Sequence, residues 1–184
     1  MASSLRLAAF LLLVTLLLPD SQLPAAEDRP NIVWIVVEDM SLPFGCYGEQ
    51  DIRTPNVDAL ARDGLRFDRA FVTAPVCSTC RSALVTGMYQ TSIGAHHHRS
   101  GRGERKISLP EGVLPVPRLF QQAGYFTANG SFTGMLDKVA PREAPRKAGK
   151  TDYNFQYDKS IYDSHHFSHR QAGQPFFAQY QLRG

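Results

Sequence analysis

No stretch of this chain stays apolar for the ~20 residues that a membrane span needs. The longest apolar run, residues 7–18, is shorter than that; it follows the single charge of Arg6 and gives way to Pro19 and the small residues before Ala26. This is the layout of a secretory signal peptide. Residues 1–26 are therefore set apart from the fold, residues 27–184 are expected to carry it, and the protein is expected to be exported, periplasmic or secreted. Charge of one sign is also scarce. The 20 Lys and Arg against 17 Asp and Glu leave a net charge of +3. Basic residues are scattered from Arg53 to Arg183 with no long cationic run interleaved with aromatics, which argues against a nucleic-acid partner. Cysteines are few and odd in number: Cys46, Cys77 and Cys80 cannot all pair within one chain, so at least one thiol needs another fate even in an oxidising compartment. No internal repeat is visible.

What is present is an alternation of strand and helix signals. Residues 31–37, Asn-Ile-Val-Trp-Ile-Val-Val, form a continuous β-branched run ending in Glu38-Asp39, which predicts a strand buried on both faces of a sheet. A Pro- and Gly-rich loop over 41–48 leads to a helix over 54–64, with Thr54 as N-cap, Pro55 at the first position and Gly64 as the C′ stop. Leu65, Phe67, Ala70, Phe71 and Val72 suggest another strand. A short helix follows from about Thr79 to Gly87, then a helix over 116–123 closed by Gly124, a strand over 125–128, a polar surface excursion over 137–152 and a last strand over 175–182. Such alternation predicts an α/β sheet. The chain stops at a strand end with no closing element, so it is expected to be truncated, with the final strand an unpaired edge.

Glu38 and Asp39 fall at the carboxyl end of the first strand, the edge where open α/β sheets build ligand sites. Adjacent carboxylates there suit a hard divalent cation; the plainer alternative is a solvated loop entry with Asp39 as a turn residue. Cys77 and Cys80 form a Cys-x-x-Cys, which by itself is ambiguous among a redox pair, half a metal site and a buried thiol. Cys77 precedes the short helix, whose free N–H groups favour an anion, and Arg81 lies about a turn further on, within reach of a sulfate or phosphate oxygen. Cys80 reads as a small buried hydrophobe. The run His96-His97-His98 points its side chains in different directions, so it reads as a loop with one histidine facing substrate; His165 and His169 could share a helix face but have no further metal partner.

Together these residues resemble the sulfatase family. Residues 29–39 look like its first strand and metal-ligand pair, Gly45-Cys-Tyr-Gly48 like the following loop, residues 54–67 like its first helix, and residues 77–87 like its signature; Gly149-Lys150 resembles the pair that supplies an active-site lysine, with Asp152 where a histidine is common. The resemblance implies an α/β, three-layer, alkaline-phosphatase-like sandwich with a mostly parallel central sheet, left incomplete by truncation. It implies that a formylglycine-generating enzyme oxidises Cys77 to formylglycine, whose hydrate attacks sulfur and then expels sulfate. Ca2+, or Mg2+, would be held by Glu38, Asp39 and the modified Cys77, with Arg81 and Lys150 stabilising the diol and sulfate charge. Arg183, at the last strand's end, would touch substrate sulfate. The implied substrates are sulfate esters or N-sulfates on a sulfated carbohydrate, in the manner of heparan N-sulfatase-like proteins. Rivals are a phosphonate or phosphate-ester hydrolase on the same scaffold, a catalytically silent binding protein, and a thiol-disulfide protein. Thr79 stands where Pro or Ala is usual and Glu38 where Asp is usual.

Overall fold

The computed structural model describes residues 29–41, 44–131 and 148–183. The expected signal peptide, residues 1–26, and residues 137–147 of the expected excursion lie outside these described residues. Residues 31–184 cluster as one unit.

Three parallel strands form the sheet: β1 (Ile32–Glu38), β2 (Phe126–Ser131) and β3 (Phe176–Arg183), in the order β1-β3-β2. Two of the sequence expectations are corrected here. Among the described residues the final strand is the central one, hydrogen-bonded on both sides, and β1 is an edge. Nor is β1 buried on both faces: Val33 and Ile35 are about half exposed, because nothing among the described residues packs over that end of the sheet.

Among the described residues three α-helices accompany the sheet. α1 (Pro55–Asp63) starts at proline, whose fixed φ suits the first helical position. Thr54 is its N-cap residue, but its hydroxyl is used elsewhere: it accepts from the Gly45 N–H (2.8 Å) and donates to Asp58 (3.0 Å). Gly64 follows the helix with φ −123°, so it stops α1 without the left-handed turn that a glycine there suggests. α2 (Cys77–Thr86) begins two residues earlier than the sequence indicates and ends at Gly87, which does take the left-handed conformation (φ 66°). α3 (Val116–Gln122) packs Phe120 face to face on Phe177 of β3, with ring centroids 4.6 Å apart.

The strand expected around residues 65–72 does not form. Leu65, Phe67, Phe71 and Val72 are 64–88% exposed in an irregular segment, since no neighbouring backbone pairs with them. Apolar content alone cannot make a strand without a partner ladder. The histidines 165 and 169 do not share an α-helix either; His165 precedes and His169 ends a short 3₁₀ turn (Phe167–His169), their rings edge to face at 5.5 Å.

Two apolar clusters hold the unit. Val85, Ile93, Ala95, Tyr153, Phe155 and Ile161 pack beneath α2, where the Tyr153 and Phe155 rings stack at 5.6 Å. On one sheet face Ala128, Phe176, Ala178 and Tyr180 pack with Phe126 and Phe167. Because side chains alternate along a strand, the opposite face carries Glu38, Asn129, Gln179 and Gln181, and this polar face is where the candidate site lies.

Candidate functional site

β1 delivers Glu38 to the carboxyl edge of the sheet, with Arg183 of β3 as its register partner; the Arg183 side chain is outside the described residues. The Glu38 carboxylate is held by the Lys150 ammonium, through Oε1, and by Arg81 Nη2 at 3.5 Å. Burial alone would raise its pKa. The Lys150 hydrogen bond and charge, with the Arg81 charge, outweigh that and hold it below the ordinary 4.5. Arg81 is nearly enclosed and also donates to the Lys150 carbonyl (3.2 Å), so the two cations are tied to each other as well as to Glu38.

Lys150 reaches this position because the chain before it lies close on β2. Ala148 bridges Gly130, and Gly149 donates to the Asn129 carbonyl (2.9 Å). A Cβ on Gly149 would sit 2.4 Å from Asn129 Oδ1 and 2.6 Å from the Gly130 carbonyl oxygen, so only glycine permits the approach. The Gln181 side chain donates to the Lys150 carbonyl and, at 3.1 Å, to Asn129 Oδ1. The surface excursion expected over 137–152 is thus corrected at its end: Asp152, Tyr153, Asn154 and Phe155 are buried.

Asp152 and Asn154 were not singled out as organising residues, and they organise most of this neighbourhood. Asp152 has φ 50°, a conformation that Asp tolerates better than most. Its carboxylate takes Arg99 Nε and Nη2, each at 3.2 Å, Arg102 Nη2, and Lys150 Nζ at 3.6 Å. Asn154, fully buried, donates through Nδ2 to the His97 carbonyl (2.6 Å) and Ser100 Oγ (3.1 Å), accepts from the Gly101 N–H (2.8 Å), and donates its backbone N–H to Ser82 of α2 (2.8 Å). The loop after α2 is fixed further where Ser78 Oγ meets His98 Nδ1 (3.0 Å) and the Arg99 N–H (2.9 Å). The histidine run is a loop, as expected, and His98 is the member that touches α2. The only sequence signal for this network is polar residues placed between apolar ones, as in Tyr-Asn-Phe at 153–155 and Gln-Tyr-Gln at 179–181.

Cys77 is the first residue of α2 rather than a residue before it, and it is a free, partly exposed thiol. The N-cap Val76 offers no side-chain acceptor, leaving the first helical N–H groups without a capping side chain. Cys80 is only partly buried; burial pushes its thiol pKa up, with Arg81 opposing and Cys77 adding to the rise. It lines an apolar cavity of about 370 Å³ with Phe71, Val72, Leu84 and Met88.

A divalent cation does not find a complete set of donors here. Asp39 follows β1 with φ 56°, exposed, as a turn residue, and Glu38 already faces two cations. Among the described residues no three His, Cys, Asp or Glu side chains converge on one point. Glu38, Asp39 and Cys77 form no such convergence.

A solved complex with its substrate D-glucosamine-2-N,6-O-disulfate superposes with a TM-score of 0.57 at 24% identity, over 83% of this chain and 34% of that one, which fixes the fold as the α/β alkaline-phosphatase-like class. The sulfatase family model matches residues 30–184, so the chain belongs to the sulfatase family. An ulvan-active sulfatase of Formosa agariphila is 32% identical over 82% of this chain and 24% of its own length. The steryl-sulfatase of Homo sapiens is 36% identical over 56% of this chain and 18% of its own length, and an N-acetylglucosamine-6-O-sulfatase of Bacteroides thetaiotaomicron is 32% identical over 62% and 21%. The chain spans about a quarter or less of the length of these curated relatives.

Proposed function

We propose that this protein is an exported hydrolase that releases sulfate from sulfate esters or N-sulfate groups on glycans, with Cys77 as the precursor of its nucleophile. The observation that carries this reading is the position of Cys77 at the start of α2, one turn from Arg81, which is itself linked to Lys150 through Glu38. The relatives that act on ulvan and on N-acetylglucosamine-6-O-sulfate favour a carbohydrate over a steroid. Formylglycine formed from Cys77 would supply an aldehyde hydrate in place of a thiol. Ca2+ or Mg2+ would need donors beyond Glu38 and Asp39, the two carboxylates that the described residues offer at this edge.

The residues of the chain have separable tasks. The uncapped N–H groups of α2 and the Arg81 guanidinium attract the singly charged tetrahedral sulfate group to the end of the helix. Lys150, a compact ammonium, is held at the same edge by Glu38 and stabilises charge as the leaving oxygen or nitrogen departs. Glu38 keeps both cations in position, and the Gly149 contact with β2 fixes the height of Lys150. Arg183 stands at the same carboxyl edge and is assigned a contact to substrate sulfate.

The test is mass spectrometry of the peptide spanning residues 70–81 after export from a host with a formylglycine-generating enzyme, followed by sulfate release from a sulfated monosaccharide. Conversion of the Cys77 thiol to an aldehyde, with sulfate release that Cys77→Ala abolishes, is expected. An unmodified Cys77, or a disulfide to Cys80, would remove the nucleophile and with it the proposal.

A further inference from the structure

We propose that Arg99 and Arg102, fixed by Asp152 beside Lys150, form a second anion-binding subsite for another sulfate or a carboxylate on the saccharide whose scissile sulfate lies against Cys77 and Arg81. The inference rests on the sulfatase reading and adds the substrate class, a saccharide with at least two anionic groups. Its basis is a charge imbalance with fixed geometry. Two carboxylates, Glu38 and Asp152, face four cations, Arg81, Lys150, Arg99 and Arg102, linked in one chain of contacts. Two positive charges therefore remain uncompensated within the cluster. Arg81 and Lys150 serve the scissile group; Arg99 and Arg102 have no such task.

Their exposure separates the inner and outer edges of the cluster. The Asp152 side chain is 1% exposed, while those of Arg99 and Arg102 are 46% and 49% exposed. Asp152 thus grips each guanidinium from inside while N–H groups remain open to solvent, and the planar fork suits a sulfate or carboxylate. The carrying loop is fixed by Asn154 and Ser78, so little ordering is needed when a ligand arrives. The field of these cations is felt nearby: desolvation first, then the Arg99, Arg102 and Lys150 charges, hold His98 below the ordinary imidazole range. Lys150 Nζ and Arg99 Nη2 contact the same Asp152 oxygen at 3.6 and 3.2 Å, so they lie no further apart than two such contacts and can serve two anionic groups of one small saccharide.

Calorimetric titration of the full chain tests this with two probes, glucosamine 6-sulfate and a uronate–glucosamine disaccharide carrying the same sulfate and a carboxylate. The wild type is expected to bind the second about tenfold more tightly. Arg99→Gln/Arg102→Gln is expected to abolish that preference while leaving affinity for glucosamine 6-sulfate within about twofold. Arg53→Gln/Arg105→Gln, which removes the same charge from exposed positions, is expected to keep it. No preference in the wild type, its survival in Arg99→Gln/Arg102→Gln, or equal loss in the control would each overturn the proposal. Should the double Gln variant not fold, Arg99→Lys/Arg102→Lys retains the charge without the fork and is expected to lose most of the preference; full retention overturns the subsite. Because these readouts need no turnover, an unmodified Cys77 would defeat the catalytic reading without deciding this one.

Discussion

Phe71 and Phe155 place the same side chain in opposite situations: the first is 88% exposed and the second 4%. Their surroundings invert what local hydropathy suggests. Near Phe71 in the chain stand Leu65, Phe67 and Val72, all large and all well exposed. Around Phe155 the chain reads Gly-Lys-Thr-Asp-Tyr-Asn, mostly polar, yet Asp152 through Phe155 are enclosed. Burial here follows from closure. Asn154 and Asp152 find hydrogen-bond and ionic partners in the loop after α2, so polar backbone can be covered at small cost, and the aromatic rings of Tyr153 and Phe155 are carried into the core with them.

The contrast can be broken most strongly at the two phenylalanines. Phe155→Ala is expected to lower unfolding free energy by about 3–5 kcal/mol, and Phe71→Ala to change it by about 0.5 kcal/mol or less. Urea denaturation of both variants measures the difference; similar losses would mean that the Phe71 region is covered in solution. Next in size is Asn154→Ala, which leaves the His97 carbonyl and the Gly101 N–H without their side-chain partner. A loss of about 2–3 kcal/mol is expected, together with faster hydrogen exchange at Gly101. Retained exchange protection at Gly101 would separate Asn154 from the loop.

The smallest effect is a pH dependence. Glu38 titrates below its ordinary 4.5, with burial opposing and Lys150 and Arg81 producing the fall. A depressed carboxylate contributes stability that is present above the unfolded pKa and lost as pH falls through the folded one. The wild-type Tm is therefore expected to decline as pH drops below about 4.5. In Lys150→Met the Glu38 pKa rises and this part of the decline weakens. An unchanged acid limb would show that the Glu38–Lys150 pair contributes no measurable linkage.

Much of the scaffold was legible because its signals are local. The β-branched run of β1, proline at the start of α1, glycine after α2 and α3, and the apolar segment of β3 each act within a few residues. Cys77, Arg81 and Lys150 stood out by motif, and the fold brings Arg81 and Lys150 to Glu38. The start of α2 carries no sequence mark, because Val76 has no capping side chain. Residues 65–72 carry a strand-like composition but form no strand, because strand propensity needs a partner strand that local sequence does not reveal.

The sequence by itself determined the family, the α/β alternation and the places where a thiol, two adjacent carboxylates and a Gly-Lys pair occur, since these depend on residue identity and short spacing. Only the tertiary structure decided that β3 lies between β1 and β2, that Glu38 is held by cations, and that Asp152 and Asn154 anchor a loop some fifty residues earlier in the chain. Those outcomes depend on which distant groups meet when the sheet closes, and hydrogen-bonding capacity alone does not specify its partner.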